Sequence, residues 1–176
     1  MELKGTRVAI LAENQYQELE LWYPLYRFRE EGAEVVVVGS GSSDTYHSKH
    51  GYPVKVDTVA DKVKGIDFDC VIVPGGYAPD YMRRYPAMLK LVKDAFDHGK
   101  VIGAICHAGW VLVSAGVLKG KKVTCVSAIR DDITNAGAEY INAEVVRDGN
   151  LVTSRTPDDL PAFMREIIRA IKEKNG

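Results

Sequence analysis

No apolar stretch in these 176 residues approaches the roughly 18 that a membrane-spanning helix requires. A charge excess is also missing: the formal net charge is −1, so no bulk basic field favours nucleic acid or an anionic membrane. The start, "MELKGTRVAILAENQ", lacks the long apolar core and small-residue cleavage site of a secretory signal. There are only three cysteines, Cys70, Cys106 and Cys125, with no CxxC pairing. That excludes a disulfide framework or zinc knuckle and suits a reducing, cytoplasmic setting. No GxGxxG is present, and no Ser, Thr or Gly follows the first strand pattern to cradle a phosphate, so neither a dinucleotide nor a flavin is indicated. The chain shows no repeat, low-complexity run or interdomain linker. Residues 1–176 are therefore expected to form a single domain that works without cofactor or metal.

What is present is an alternation. "RVAILA" (7–12), "VVVVG" (35–39), "CVIVPGG" (70–76) and "VIGAI" (101–105) read as doubly buried strands. Helical stretches lie between them. Leu19, Trp22, Tyr23 and Tyr26 recur at spacings of three and four, as core and interface surface, and Gly32 stops that helix. A second helix runs from about Pro86 to His98, with His98 complementing its C-terminal dipole. Alternating apolar strands and helices define an α/β domain, a doubly wound, mostly parallel sheet covered on both faces. Two segments depart from the alternation. Residues 41–57 are a polar excursion, where His47 and His50 have no acidic or thiol cluster beside them and read as solvated loop residues. Residues 143–154, "AEVVRDGNLVTS", carry a hairpin signal. The last helix is signalled by Thr156 as N-cap and Pro157 at the first position.

Ligands in such folds collect beyond the carboxyl ends of the strands. Those ends are Glu13-Asn14-Gln15, Gly75-Gly76 and Cys106-His107. Gly103, Ala104, Ala108 and Gly109 flank Cys106 with little bulk, as a sharp strand-to-helix elbow requires. A helix starting at the thiol would present its unpaired N–H groups to the sulfur. At such positions a thiol pKa can fall from about 8.5 to roughly 3.5–7.5, so a thiolate is expected. The backbone N–H groups of Gly76 and His107 form the expected oxyanion hole. His107 is the last histidine in the chain, which leaves it as the base and excludes any mechanism needing a distant downstream one. Cys70 and Cys125, inside "DFDCVIV" and "KVTCVS", read as buried small hydrophobes.

At "AICHAGW", with "VPGGYAPD", "KHGYPVKVD", "EVVRDGNLVTSR" and "TSRTPDDLPAFMREI", the sequence resembles the PfpI intracellular protease family of the ThiJ/PfpI superfamily. The resemblance runs from about residue 7 to 172. It implies a flavodoxin-like domain related to class I glutamine amidotransferases, with Cys106 as nucleophile and His107 beside it. It further implies that Asp80, from the turn after the double glycine, orients His107 from a neighbouring subunit. The site would then be complete only in a homo-oligomer, a dimer or a ring of dimers. The family usually carries a glutamate at the nucleophilic sulfur. Aligning "AENQYQELELWYP" without gaps puts Gln17 there, next to Cys106 with Gly75. A glutamine can donate a hydrogen bond but cannot move a proton, so peptide hydrolysis is favoured over glyoxalase- or deglycase-type chemistry on carbonyls such as methylglyoxal. A redox-sensing or chaperone-like stress protein is the non-enzymatic alternative, since selective oxidation needs an accessible thiol.

Overall fold

A computed structural model describes residues 1–175. The chain begins with strand β1 (Arg7–Ala12), helix α1 (Glu18–Glu30) and strand β2 (Glu34–Gly39). The polar excursion is an antiparallel hairpin, β3 (Thr45–His47) and β4 (Pro53–Lys55), followed by the short strand β5 (Thr58–Val59). Then come β6 (Cys70–Val73), α2 (Ala78–Met82), α3 (Pro86–Asp97), β7 (Val101–Ile105) and α4 (Gly109–Ala115). The chain continues through β8 (Lys122–Val123), α5 (Arg130–Asn135), β9 (Glu139–Tyr140), β10 (Val146–Asp148), β11 (Leu151–Ser154) and α6 (Leu160–Asn175).

The central sheet has seven strands in the order β10-β11-β7-β6-β1-β2-β5. All neighbours pair parallel except β10 and β11, the hairpin expected over 143–154. Strands β6 and β7 are buried at every position, as their unbroken β-branched and apolar sequences require of a sheet covered on both faces. Helix α6 lies so close to β7 that a Cβ at Gly103 would come within 2.6 Å of Ile167 and 3.0 Å of Phe163. That is a flavodoxin-like α/β architecture, and it delivers the ends of β1, β6 and β7 side by side.

Three local features differ from the sequence pattern. Helix α1 buries Glu20, Leu21, Pro24, Leu25 and Phe28, while Leu19, Tyr23 and Tyr26 face outward and Trp22 is half-buried. The spacing of the bulky residues thus marked the outer stripe, and the inner one contains a carboxylate. Helix α4 does not start at the thiol; a single 3₁₀ turn, Cys106–Ala108, comes first. Thr156 opens a 3₁₀ turn, Pro157–Asp159, without a side-chain cap bond. There Asp159 accepts from the Arg155 backbone N–H at 3.0 Å and binds its guanidinium, so the acid rather than the threonine fixes the entry to α6.

Candidate active site

Cys106 follows the last residue of β7 with φ +62°, in the left-handed region that a β-carbon disfavours. A non-glycine residue held there costs of order 1–3 kcal/mol, and the surroundings must over-determine it. Here they do. The β6 exit is stripped of side chains, because a Cβ at Gly75 would lie 2.5 Å from Glu20 Oε2 and 2.8 Å from Cys106 Cβ. At Gly76, with φ +76°, a Cβ would sit 2.4 Å from the Gln15 carbonyl oxygen. The two glycines let three chain segments close around one sulfur.

The backbone N–H groups of His107 and Gly76 both reach the Cys106 sulfur. His107 Nδ1 lies 3.3 Å from Sγ, and its ring packs against Trp110 at 5.0 Å between centroids. Burial, with a smaller contribution from the positive charge of Lys49, lowers the His107 pKa, so the imidazole is neutral near pH 7. Tyr77 and Trp110 meet edge to face at the rim.

The residue at the sulfur is Glu20, not Gln17. Glu20 is fully buried; its Oε2 accepts the Gly75 N–H at 2.7 Å, and the carboxyl contacts the Cys106 thiol. Its other oxygen, Oε1, is buried without a conventional partner. Burial pushes its pKa up to about 8, so the carboxyl carries a proton at neutral pH. Gln17 instead caps α1, its side-chain oxygen accepting the Glu20 N–H at 3.1 Å, while its own N–H donates to the Gly75 carbonyl. The gapless alignment therefore fails by one helical turn. The signal that would have found Glu20 is a lone acid in the stripe of Leu21, Pro24, Leu25 and Phe28, the face that packs inward.

The expected low thiol pKa is also corrected. Burial, and then the negative charge of an ionised Glu20, push Cys106 up to about 12. The N–H groups of His107 and Gly76 pull the other way without prevailing, and the helix whose dipole was expected to act starts three residues later. Once Glu20 holds its proton the repulsive charge is gone, and the acid is a donor toward the sulfur. Cys106 is thus a thiol whose ionisation is coupled to a neighbouring acid.

Asp80 lies on α2, one turn beyond Gly76, and binds Arg84. It makes no hydrogen bond to His107 within the chain. Cys70 and Cys125 are buried, and burial raises both pKa values. Among the described residues, no group of three or more His, Cys, Asp or Glu is arranged to hold a metal ion, and no helix is long and apolar enough to cross a membrane.

A strained cysteine at a strand-to-helix elbow, flanked by a histidine and a buried acid at the strand ends of a flavodoxin-like sheet, defines a class of cysteine-centred α/β proteins. Within that class the chain belongs to the DJ-1/PfpI family, whose pattern matches residues 6–170. It is 47% identical over 166 residues to "Deglycase TK1284" of Thermococcus kodakarensis, covering 94% of this chain and 99% of the relative. It is 39% identical to YraA of Bacillus subtilis, provisionally named a cysteine protease, across 94% of this chain and 98% of that one. Among solved structures, a two-domain Anabaena variabilis protein with DJ-1/ThiJ/PfpI-like and ferritin-like domains superimposes with a TM-score of 0.91 at 39% identity. That match covers 93% of this chain, which spans about half (47%) of the two-domain protein.

Proposed function

We propose that this protein is a Cys106-dependent enzyme acting on reactive carbonyls or their adducts, a glyoxalase- or deglycase-type activity. The observation that carries the reading is the buried Glu20, protonated near pH 7 and in contact with the thiol. An acid with a pKa near the working pH can both give and take a proton, the capacity that Gln17 at the same place would have lacked. The name of the Thermococcus relative supports the same choice.

With methylglyoxal the steps balance without an outside oxidant. The sulfur bonds to the aldehyde carbon as its proton passes to His107 Nδ1. The C=O pair moves to oxygen, held by the N–H groups of Gly76 and His107, and that oxygen takes the Glu20 proton to give a hemithioacetal. The Glu20 carboxylate then removes the C–H proton and returns it to the neighbouring carbonyl carbon, with His107 shuttling the hydroxyl protons. One carbon is oxidised and its neighbour reduced, which leaves a thioester. Water cleaves the thioester to lactic acid, the thiol reforms, and the excess proton on His107 passes back to Glu20.

Peptide hydrolysis is the second reading, supported by the 3.3 Å approach of His107 to the thiol and by the name given to YraA. Asp80 supplied by a second copy would complete a Cys-His-Asp set in either case, which makes a homo-oligomer part of the proposal. The test is to assay wild type and Cys106→Ala for lactate formation from methylglyoxal and for fluorogenic peptide turnover. Lactate formation lost by about 10⁴-fold or more in the variant supports the proposal. Wild-type protein silent toward carbonyls but active on peptides replaces it with the second reading.

A further inference from the structure

The hairpin β3–β4 carries the segment Ser48-Lys49-His50, which the sequence pattern assigns to a solvated loop. The fold makes it a wall of the site instead. Tyr16, fully buried, forms a backbone bridge to Ser48 on one side and to Gly76 on the other. The Lys49 N–H donates to the Tyr16 carbonyl at 3.0 Å, which ties the lysine backbone to the residue that also bridges to the Gly76 turn. Glu18, in the first turn of α1, clamps the same segment. Its Oε1 accepts from Ser48 Oγ and from the His50 N–H at 3.0 Å, and lies 2.9 Å from His50 Nδ1. These bonds hold the Glu18 pKa below its usual range despite partial burial.

These contacts fix the backbone on both sides of Lys49. Lys49 is exposed and makes no ion pair among the described residues, although Arg27, Arg147, Arg155 and Lys93 all do. Its charge is felt by the two groups that flank the sulfur: it opposes burial at Glu20 and adds to burial at His107. An exposed ammonium that acts on both neighbours of Cys106 is carried by the segment that Tyr16 bridges to the Gly76 turn.

We propose that Lys49 is the anion-recognition residue of the Cys106 site, selecting substrates with a carboxylate next to the reacting carbonyl. A 2-oxo acid or an aldehyde acid of two or three carbons fits this layout. Its carboxylate pairs with Lys49, its carbonyl carbon meets Sγ, and its carbonyl oxygen meets the N–H groups of Gly76 and His107. The inference rests on Cys106 being the nucleophile but not on which reaction follows addition.

Two alkylating reagents of similar size test it without any turnover assay. Iodoacetate and iodoacetamide react by the same step, in which an S–C bond forms and iodide leaves, and they differ only in the carboxylate. Labelling of position 106 in the full chain is followed by mass spectrometry, and the ratio of the two rate constants is compared with that of a small free thiol. We expect wild type to favour iodoacetate relative to the free thiol. Lys49→Met should lower the ratio by about tenfold at ~0.01 M salt, where screening extends about 30 Å, and Lys49→Arg should largely restore it. At ~1 M salt, with screening over about 3 Å, the wild-type preference should shrink. A ratio that Lys49→Met leaves unchanged overturns the anion-recognition role and spares the nucleophile. Failure of both reagents to label Cys106 in wild type overturns the two together.

Discussion

Two buried carboxylates stand at the same end of the sheet, seven residues apart. Glu13, directly after β1, is 3% exposed, and Glu20 on α1 is 0% exposed. Around Glu13 the polar demand is met. Its Oε2 accepts from Ser40 Oγ and from Ser42 Oγ at 3.1 Å, its Oε1 accepts the Asn14 N–H at 2.8 Å, and Tyr46 closes the network through Ser40 at 3.0 Å. Glu20 has a single N–H on one oxygen, nothing conventional on the other, and a thiol alongside. A buried acid surrounded by donors has its lone pairs satisfied and serves the fold. A buried acid left short of donors holds a proton, and a held proton is available to chemistry.

The sharpest way to break that contrast is to remove only the proton chemistry. Glu20→Gln preserves shape and the Gly75 contact, and under the proposed mechanism carbonyl turnover should fall about 100- to 10,000-fold. The limb of the wild-type pH–rate profile near 8 should vanish with it. Full activity in Glu20→Gln would erase the distinction between the two acids. The converse variant, Glu13→Ala, removes the acceptor that the Asn14 N–H and the hydroxyls of Ser40 and Ser42 share. We expect a loss of about 1–3 kcal/mol in denaturant unfolding, with kcat per folded molecule retained.

A smaller effect is the pH dependence that Glu20 gives to stability. Glu20 has a folded pKa of about 8, above its ordinary 4.5. Between those values the folded state holds a proton that the unfolded chain has released, so stability must decline as pH rises through this window. The slope from this group is at most about 1.4 kcal/mol per pH unit. His107 acts in the opposite sense: its lowered pKa means that protonation favours the unfolded chain, so stability is lost as pH falls below the ordinary histidine value of about 6.5. Glu20→Gln should flatten the decline that accompanies rising pH between 4.5 and about 8 and leave the loss at falling pH due to His107, as followed by thermal melts across pH. An unchanged slope across that interval would mean that Glu20 does not hold its proton.

The elbow was legible because its requirements are local: an apolar strand, small neighbours and a thiol beside an imidazole lie within ten residues of one another. Glu20 was missed because which face of α1 turns inward depends on what it packs against, and bulk alone pointed to Leu19, Tyr23 and Tyr26. The hairpin was missed as part of the site for a related reason. Ser48, Lys49 and His50 are polar and distant in sequence from Cys106, and only their bonds to Tyr16 and Glu18 bring them to it.

The order of strands and helices, the position of the nucleophile and the two glycines that make room for it are set by the chain itself, since periodicity and backbone sterics act over a few residues. The protonation of Glu20, the raised thiol pKa and the placement of Lys49 exist only in the folded protein. Burial and unscreened charge depend on which distant segments exclude water from a common point, and no local pattern encodes that.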